Sequence, residues 1–145
     1  MKHIKKGHEP TELTIFKSQN PTAKYKGLFE NERNALRNTL VNEQKGICAF
    51  CMGRIENVWK SGVNHRELGE DDGYNVKVGH WMPQSVDSDS TLDYTNMLGV
   101  CKGGGRKEKY QHCDKKQSNT ALTINPLDPS VENGFSYARD GAIYH

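Results

Sequence analysis

Apolar residues between positions 28 and 45 recur at the spacing of an α-helix, and polar residues separate them. The apolar face consists of Leu28, Phe29, Leu36 and Leu40. Gly46 follows directly and supplies a plausible C-cap. The pattern therefore predicts one core-packing helix over residues 28–45. Residues 1–27 are interrupted by Pro10, Pro21 and Gly27, and they predict an irregular N-terminal arm.

The remaining elements are short. Residues 47–59 predict a cysteine turn that leads into a short strand. Apolar and polar residues alternate over residues 76–82 (VKVGHWM), which predicts a strand. Residues 97–100 (MLGV) form a short apolar segment. Asp114 is expected to begin a short helix that reaches about Asn119, and residues 60–75 predict a polar surface loop. Residues 135–145 predict a hairpin that turns at Asp140-Gly141, and its short second arm favours a native chain that continues past His145.

Composition indicates a small domain with a thin core. Hydrophobic residues make up 34% of the 145 residues, and there are 14 glycines. Domains of this kind often rely on a metal or on disulfides. With no long apolar run and no apolar segment near Met1, we expect a cytoplasmic protein without a membrane segment.

Four cysteines then suggest a metal rather than disulfides, because the cytosol keeps thiols reduced. Cys48 and Cys51 form a CxxC turn, and Cys101 and Cys113 supply the second pair across a Gly-rich, cationic insertion. A structural Zn²⁺ bound by all four is the leading interpretation. Two alternatives stay open: His112 replaces one cysteine, although neighbours on an extended chain point apart, or the CxxC is a redox pair.

A second candidate site is the segment Gly79-His80-Trp81-Met82-Pro83-Gln84-Ser85. A histidine at the end of a strand is held rigidly, and the turn that Pro83 imposes leaves space in front of the ring. His80 is therefore a candidate general base. On its own, a histidine in such a position is more often structural.

Taken in order, CAFC (48–51), GHWMPQS (79–85), DYTNMLGVC (93–101) and HCDKKQSN (112–119) resemble the zinc-containing HNH nuclease superfamily. The N-terminal arm, NEQKGICAFC and INPLDP look most like the HNH component of Septu anti-phage defence systems, which is also found beside some retrons. This resemblance covers essentially the whole chain. It implies an α+β fold, a ββα-metal unit with a four-cysteine zinc knuckle, preceded by the arm and one helix.

The resemblance also assigns roles. His80 is expected to take a proton from the attacking water, Asp114 to hold a catalytic Mg²⁺ or Mn²⁺, and Asn96 to brace the loop that carries His80. Alternatively, Asn96 is only a turn residue and Asp114 only a helix N-cap. Cationic residues at which nucleic-acid phosphates are expected to bind are Lys115, Lys116, Arg106 and Lys107.

In function, the resemblance implies an endonuclease that hydrolyses DNA, with RNA as an open alternative substrate, in phage defence with a partner ATPase. Residues 1–27 would dock the partner and residues 28–145 would form the nuclease domain. Gly79 departs from the family pattern, which has Asp or Glu before the histidine. We therefore expect weaker binding of the catalytic metal. The alternative function is a zinc-stabilised module that binds nucleic acid or protein without cutting.

Overall fold

The computed structural model describes residues 1–58, 74–104, 108–140 and 142–144. These residues form a small α+β fold, as the sequence predicts, with three α-helices and two separate two-stranded antiparallel sheets. The helices are α1 (Thr11–Gln19), α2 (Glu30–Glu43) and α3 (Asp114–Gln117). The strands are β1 (Lys77–His80), β2 (Met97–Val100), β3 (Ser136–Tyr137) and β4 (Ile143–Tyr144). None of the helices described has the length and apolar character needed to cross a bilayer.

Helix α2 is the predicted central helix, shortened at both ends. It begins after Phe29, whose backbone N–H donates to the Glu32 carboxylate at 3.0 Å. It ends before Gly46, which has φ +73° and donates its N–H to the Val41 carbonyl at 2.8 Å. The positive φ explains why glycine occupies this position. Leu28, Leu36 and Leu40 are buried, so most of the predicted apolar face does form the core. Phe29 is the exception, because it precedes the first helical residue and 69% of its surface is exposed.

Helix α1 corrects the prediction of an irregular arm. Residues 11–19 are helical after Pro10, and Leu13 and Phe16 are buried one turn apart. Two buried apolar residues give a weak periodic signal, and the helix is stabilised by packing against α2 rather than by its own sequence. The rest of the arm is also anchored, because the Ile4 N–H donates to the Pro126 carbonyl at 2.8 Å.

Strands β1 and β2 hold the centre of the fold together. Gly79 pairs with Leu98, and His80 pairs with Met97. The buried carboxamide of Gln44, just beyond α2, pairs with both backbone groups of Gly99, accepting at 2.6 Å and donating at 2.7 Å. The Gly99 carbonyl also accepts from the Ala49 N–H at 3.1 Å. The C-cap residue of α2 and the cysteine turn thus both bind the edge of β2, which fixes α2 relative to the sheet.

The other expectations are met in part. The short strand predicted after the cysteine turn is reduced to a β-bridge between Ile47 and Arg54. The predicted hairpin near the C-terminus forms, with Ser136 opposite Tyr144. Most of the predicted loop 60–75 lies outside the described residues, as does Gly141 in the hairpin turn.

Candidate metal centre and adjacent cleft

The four cysteines converge from three parts of the chain. Cys48 and Cys51 lie on a tight turn, in which the Cys48 N–H donates to the Gly53 carbonyl at 2.8 Å and the Met52 N–H donates to the Cys48 carbonyl at 3.1 Å. Cys101 follows β2 directly, and Cys113 immediately precedes α3. The cluster therefore ties the sheet to α3.

Their sulfur atoms are spaced for tetrahedral coordination. The Sγ atoms of Cys48 and Cys113 lie 3.8 Å apart, and those of Cys51 and Cys101 lie 3.7 Å apart. All four sulfurs fall within 4.8 Å of one another. Sulfurs at about 2.3 Å from a tetrahedral Zn²⁺ would be separated by about 3.8 Å. The four cysteines could therefore hold a metal ion such as zinc.

The thiols differ in acidity because they share protons. The Cys48 and Cys113 sulfurs share a hydrogen bond, and the Cys101 backbone N–H donates to Cys48 Sγ at 3.3 Å, so the pKa of Cys48 falls to about 4. Desolvation raises the pKa of Cys101 to about 11. The cluster thus favours one thiolate before any metal binds, and coordination would displace the remaining protons.

The extended-chain argument predicted that His112 points away from the cluster, and this prediction is wrong. The Nδ1 atom of His112 lies 3.2 Å from the Cys113 sulfur and 3.7 Å from the Cys101 sulfur. The cause is the backbone of Cys113, which has φ +53° and turns sharply instead of extending. His112 is nevertheless outside the group of four mutually close ligand atoms, so its position favours a hydrogen bond to a thiolate over coordination.

His80 is buried at the end of β1, with 6% of its surface exposed. Its Nε2 lies 3.0 Å from the Thr91 carbonyl, and the edge of its ring meets Tyr25 at a centroid distance of 5.1 Å. A carbonyl only accepts hydrogen bonds, so Nε2 carries the proton. In the neutral ring, Nδ1 is then the acceptor, and the Gln84 carboxamide lies 3.2 Å from it.

Burial holds the pKa of His80 below its ordinary value of 6.5, because the charged ring would lose hydration. The Thr91 carbonyl and the negative charge of Asp114 act in the opposite direction and favour the charged ring. The balance keeps His80 neutral near pH 7, with one nitrogen able to accept a proton.

A small cleft of about 180 Å³ lies in front of the His80 ring. Its lining is Val78, His80, Pro83, Gln84, Ser85, Asp114, Ser118 and Asn119. The structure therefore brings together two of the three predicted catalytic residues, His80 and Asp114. A Cβ built on Gly79 would lie 3.4 Å from Asp114 Oδ1, so an acidic residue at position 79 would extend from a point close to this carboxylate.

Asn96, the third predicted residue, is buried behind the cleft and not in it. Its side chain accepts from the Met82 N–H at 2.8 Å and donates to the Met82 carbonyl at 3.0 Å. This pair of bonds fixes the turn that follows His80. Asn96 is thus placed to hold the loop, and it does not line the cleft beside His80.

Sequence reasoning missed two groups that fix His80. Gln117 of α3 donates to the Trp81 carbonyl at 2.8 Å and to the His80 carbonyl at 3.3 Å. The Thr91 carbonyl, described above, is a backbone group and leaves no signal in side-chain identity. Gln117 is the one buried residue of the polar DKKQ helix, and its polar side chain gives no sequence signal of that burial.

The predicted cationic residues are divided. Lys115 and Lys116 both lie on α3, where Lys115 is half-buried and Lys116 is exposed. Arg106 and Lys107 lie outside the described residues. As for a hard divalent cation, the cleft offers one carboxylate, Asp114. Among the residues described, the four cysteines are the one group of three or more His, Cys, Asp or Glu side chains with close ligand atoms. Mg²⁺ commonly binds through one or two carboxylates, water and substrate phosphates, so this donor set fits only when a phosphate completes it.

Compared with models of known protein families and with curated protein sequences, the chain matches none.

Proposed function

We propose that this protein is an HNH-type endonuclease whose zinc-stabilised core presents His80 as the general base. The observation that supports this proposal is the orientation of the ring. Nε2–H is engaged by the Thr91 carbonyl, which leaves Nδ1 as the acceptor, and His80 lines a cleft together with Asp114. A buried histidine whose role was purely structural would have no need of a cleft beside it.

In the proposed reaction, a water molecule transfers one proton to Nδ1 of His80 while its oxygen forms a bond to the phosphorus of a phosphodiester. The bond from phosphorus to the leaving oxygen breaks, and that oxygen acquires a proton from solvent. The Thr91 carbonyl stabilises the imidazolium through the Nε2–H bond. Burial lowers the pKa of His80, so the ring returns its proton readily to solvent afterwards.

Asp114 would hold the divalent cation together with the substrate phosphate. When bound, a Mg²⁺ or Mn²⁺ ion stabilises negative charge on the phosphate and on the leaving oxygen. Lys116, and Lys115 beside it, would contact neighbouring phosphates. The four-cysteine site would be structural, because it lies behind α3 and all of its ligands are protein sulfurs.

DNA is the proposed substrate and RNA the alternative. The proposed setting is anti-phage defence with a partner ATPase, and its support is the sequence resemblance to Septu components. The arm is partly engaged by the protein itself, through Ile4 and Lys6, so any partner would dock on its exposed side.

A second candidate function is a binding module that does not cut. Gly79 favours it, since the acidic residue that the family pattern places before the histidine is absent. In this case the zinc site and the cationic residues would serve to dock nucleic acid, and His80 would be a buried structural residue.

The deciding experiment is to incubate supercoiled plasmid with zinc-loaded protein and Mn²⁺. We expect nicking that disappears in His80→Ala and Asp114→Ala. Asn31→Ala, a change on an exposed face of α2, is the control and should nick at the unmodified rate. Nicking that survives His80→Ala would refute the proposed base. Equal plasmid binding by all variants without any nicking would support the binding module.

A further inference from the structure

Gln84 occupies the nitrogen of His80 that a general base must use. The ring donates from Nε2 to the Thr91 carbonyl, so Nδ1 of the neutral ring presents a lone pair. The Gln84 carboxamide nitrogen lies 3.2 Å from that lone pair, which is a hydrogen-bond distance. A water molecule cannot donate to Nδ1 along the same direction while the amide is there.

The orientation of the Gln84 carboxamide follows from the protonation of the ring. Its NH2 group must face Nδ1, because its oxygen there would oppose another lone pair. Burial keeps the ring neutral and so favours this arrangement. The contact is therefore a donor placed on the acceptor of the candidate base.

The backbone that carries Gln84 is fixed, whereas its side chain is held weakly. Val86 and Asp87 both donate their N–H groups to the Pro83 carbonyl, at 2.9 and 3.1 Å, which closes the turn. In the described part of the chain, His80 is the one hydrogen-bond partner of the Gln84 carboxamide. The Gln84 side chain is half-buried at the edge of the cleft, so it can exchange this single bond for water.

Gln117 offers a useful contrast. Its carboxamide is buried and donates to two carbonyls on the same turn. Loss of both bonds would disturb the backbone of His80, so Gln117 is a positioning residue. Gln84 contacts the ring itself and nothing else that would be lost when it moves.

We propose that Gln84 caps the proton-accepting nitrogen of His80 in the resting protein, and that the attacking water must displace its carboxamide before cleavage. This inference rests on the proposed nuclease function, which it deepens by naming a restraint on the base. Binding of substrate in the cleft would favour the displaced state, because Gln84 itself lines the cleft that the phosphate would occupy.

The first test compares plasmid nicking with Mn²⁺ for Gln84→Ala, Gln84→Glu and the unmodified chain. Removal of the cap in Gln84→Ala should raise the nicking rate by roughly three- to tenfold, the equivalent of one ordinary hydrogen bond. The gain should vanish in a His80→Ala background. A carboxylate in Gln84→Glu would hold a proton on Nδ1 and should slow nicking. The matched control is Gln19→Ala, an exposed glutamine at the end of α1, which should leave the rate unchanged. An unchanged or lower rate in Gln84→Ala would overturn the proposal.

The second test does not depend on nuclease activity. Ring ¹⁵N spectra of the full chain should show Nε2 protonated, and the Nδ1 resonance of His80 should move in Gln84→Ala but not in Gln19→Ala. An Nδ1 resonance that stays in place in Gln84→Ala would overturn the cap even if nicking increased. If no variant cuts DNA but the resonance moves, the nuclease function fails, and the contact between Gln84 and the acceptor nitrogen is still established.

Discussion

Val100 fills the space that a side chain at position 79 would need. A Cβ built on Gly79 would lie 3.0 Å from both Cγ atoms of Val100, closer than such atoms normally approach. The two residues face each other diagonally across the β1–β2 ladder. Gly79 is therefore matched to a β-branched neighbour, and the packing of the sheet itself disfavours a larger residue at position 79.

The first prediction follows from this match. Gly79→Asp alone should destabilise the protein by about 1–3 kcal/mol through overpacking. Gly79→Asp combined with Val100→Ala should recover much of that loss, because the smaller side chain leaves room for the new Cβ. The double variant should also bind Mn²⁺ more tightly, since its carboxylate would lie near Asp114.

Thermal unfolding and Mn²⁺ titration measure these two effects. Val100→Ala alone is the control, and it should be destabilised by a cavity without any gain in Mn²⁺ affinity. If Gly79→Asp is as stable as the unmodified chain, Val100 does not constrain position 79.

Local sequence patterns predicted the parts of the structure that depend on neighbours in the chain. The periodicity of residues 28–45 indicated α2, the alternation around His80 indicated β1, and the spacing of the cysteines indicated one cluster. Helix α1 was missed because its two buried residues gain their stability from contacts with α2. Gln117 was missed for a similar reason: its carbonyl partner at His80 is 37 residues away, and polar pairing at that distance has no periodic signature.

Metal removal should unfold much of the core around the cysteines. Cys48 is fully buried, and its sulfur joins the sheet to the segment before α3. We expect one equivalent of zinc in the purified protein, and a large fall in Tm when a strong chelator removes it. Recovery of Tm on addition of Zn²⁺, but not of Mg²⁺, is the control. An unchanged Tm after complete removal would show that the cysteines are not a structural metal site.

Asn96 should be needed for the rigidity of the turn after β1. Asn96→Ala removes the partner of both backbone groups of Met82, and each unsatisfied group costs about 1–3 kcal/mol where it stays buried. The variant should lose stability, and amide exchange at Met82 should accelerate. Asn31→Ala is the matched control and should do neither. Normal protection at Met82 in Asn96→Ala would show that the turn is held by other contacts.

The pKa of His80 gives a prediction with a definite sign. Burial lowers the folded-state pKa below 6.5, so below pH 6.5 the unfolded chain takes up a proton that the folded chain does not. The contribution of His80 to stability is present above pH 6.5 and is lost as the pH falls toward its folded pKa. Asp114→Asn should lower the pKa of His80 further, since the carboxylate favours the charged ring.

An NMR titration of the His80 ring measures its pKa in the unmodified chain and in Asp114→Asn. The control is Asp140→Asn, an exposed change in the hairpin turn, which should leave the pKa of His80 unchanged. The cleavage rate should become half-maximal at the same pH as this titration. A ring that titrates above 6.5 would contradict the buried neutral state.

The N-terminal arm should depend on one buried ion pair. Lys6 Nζ lies 2.6 Å from the Glu43 carboxylate, donates to the Met97 carbonyl at 2.9 Å and lies 3.6 Å from the centroid of the Tyr94 ring. Burial lowers the pKa of Lys6, and Glu43 opposes this shift. Glu43→Gln would leave the ammonium without its charge partner and should destabilise the protein by about 3–5 kcal/mol.

Lys6→Met in the Glu43→Gln background should recover much of this loss, because it removes the charge that was left unpaired. The matched control is Glu9→Gln at the more exposed pair with Lys17, where the expected loss is under about 1 kcal/mol. Denaturant unfolding gives the free energies, and proteolysis near Lys6 reports whether the arm is released. If Glu43→Gln is no more destabilising than Glu9→Gln, the arm is held by its backbone contact at Ile4 and by apolar packing, and the ion pair adds little.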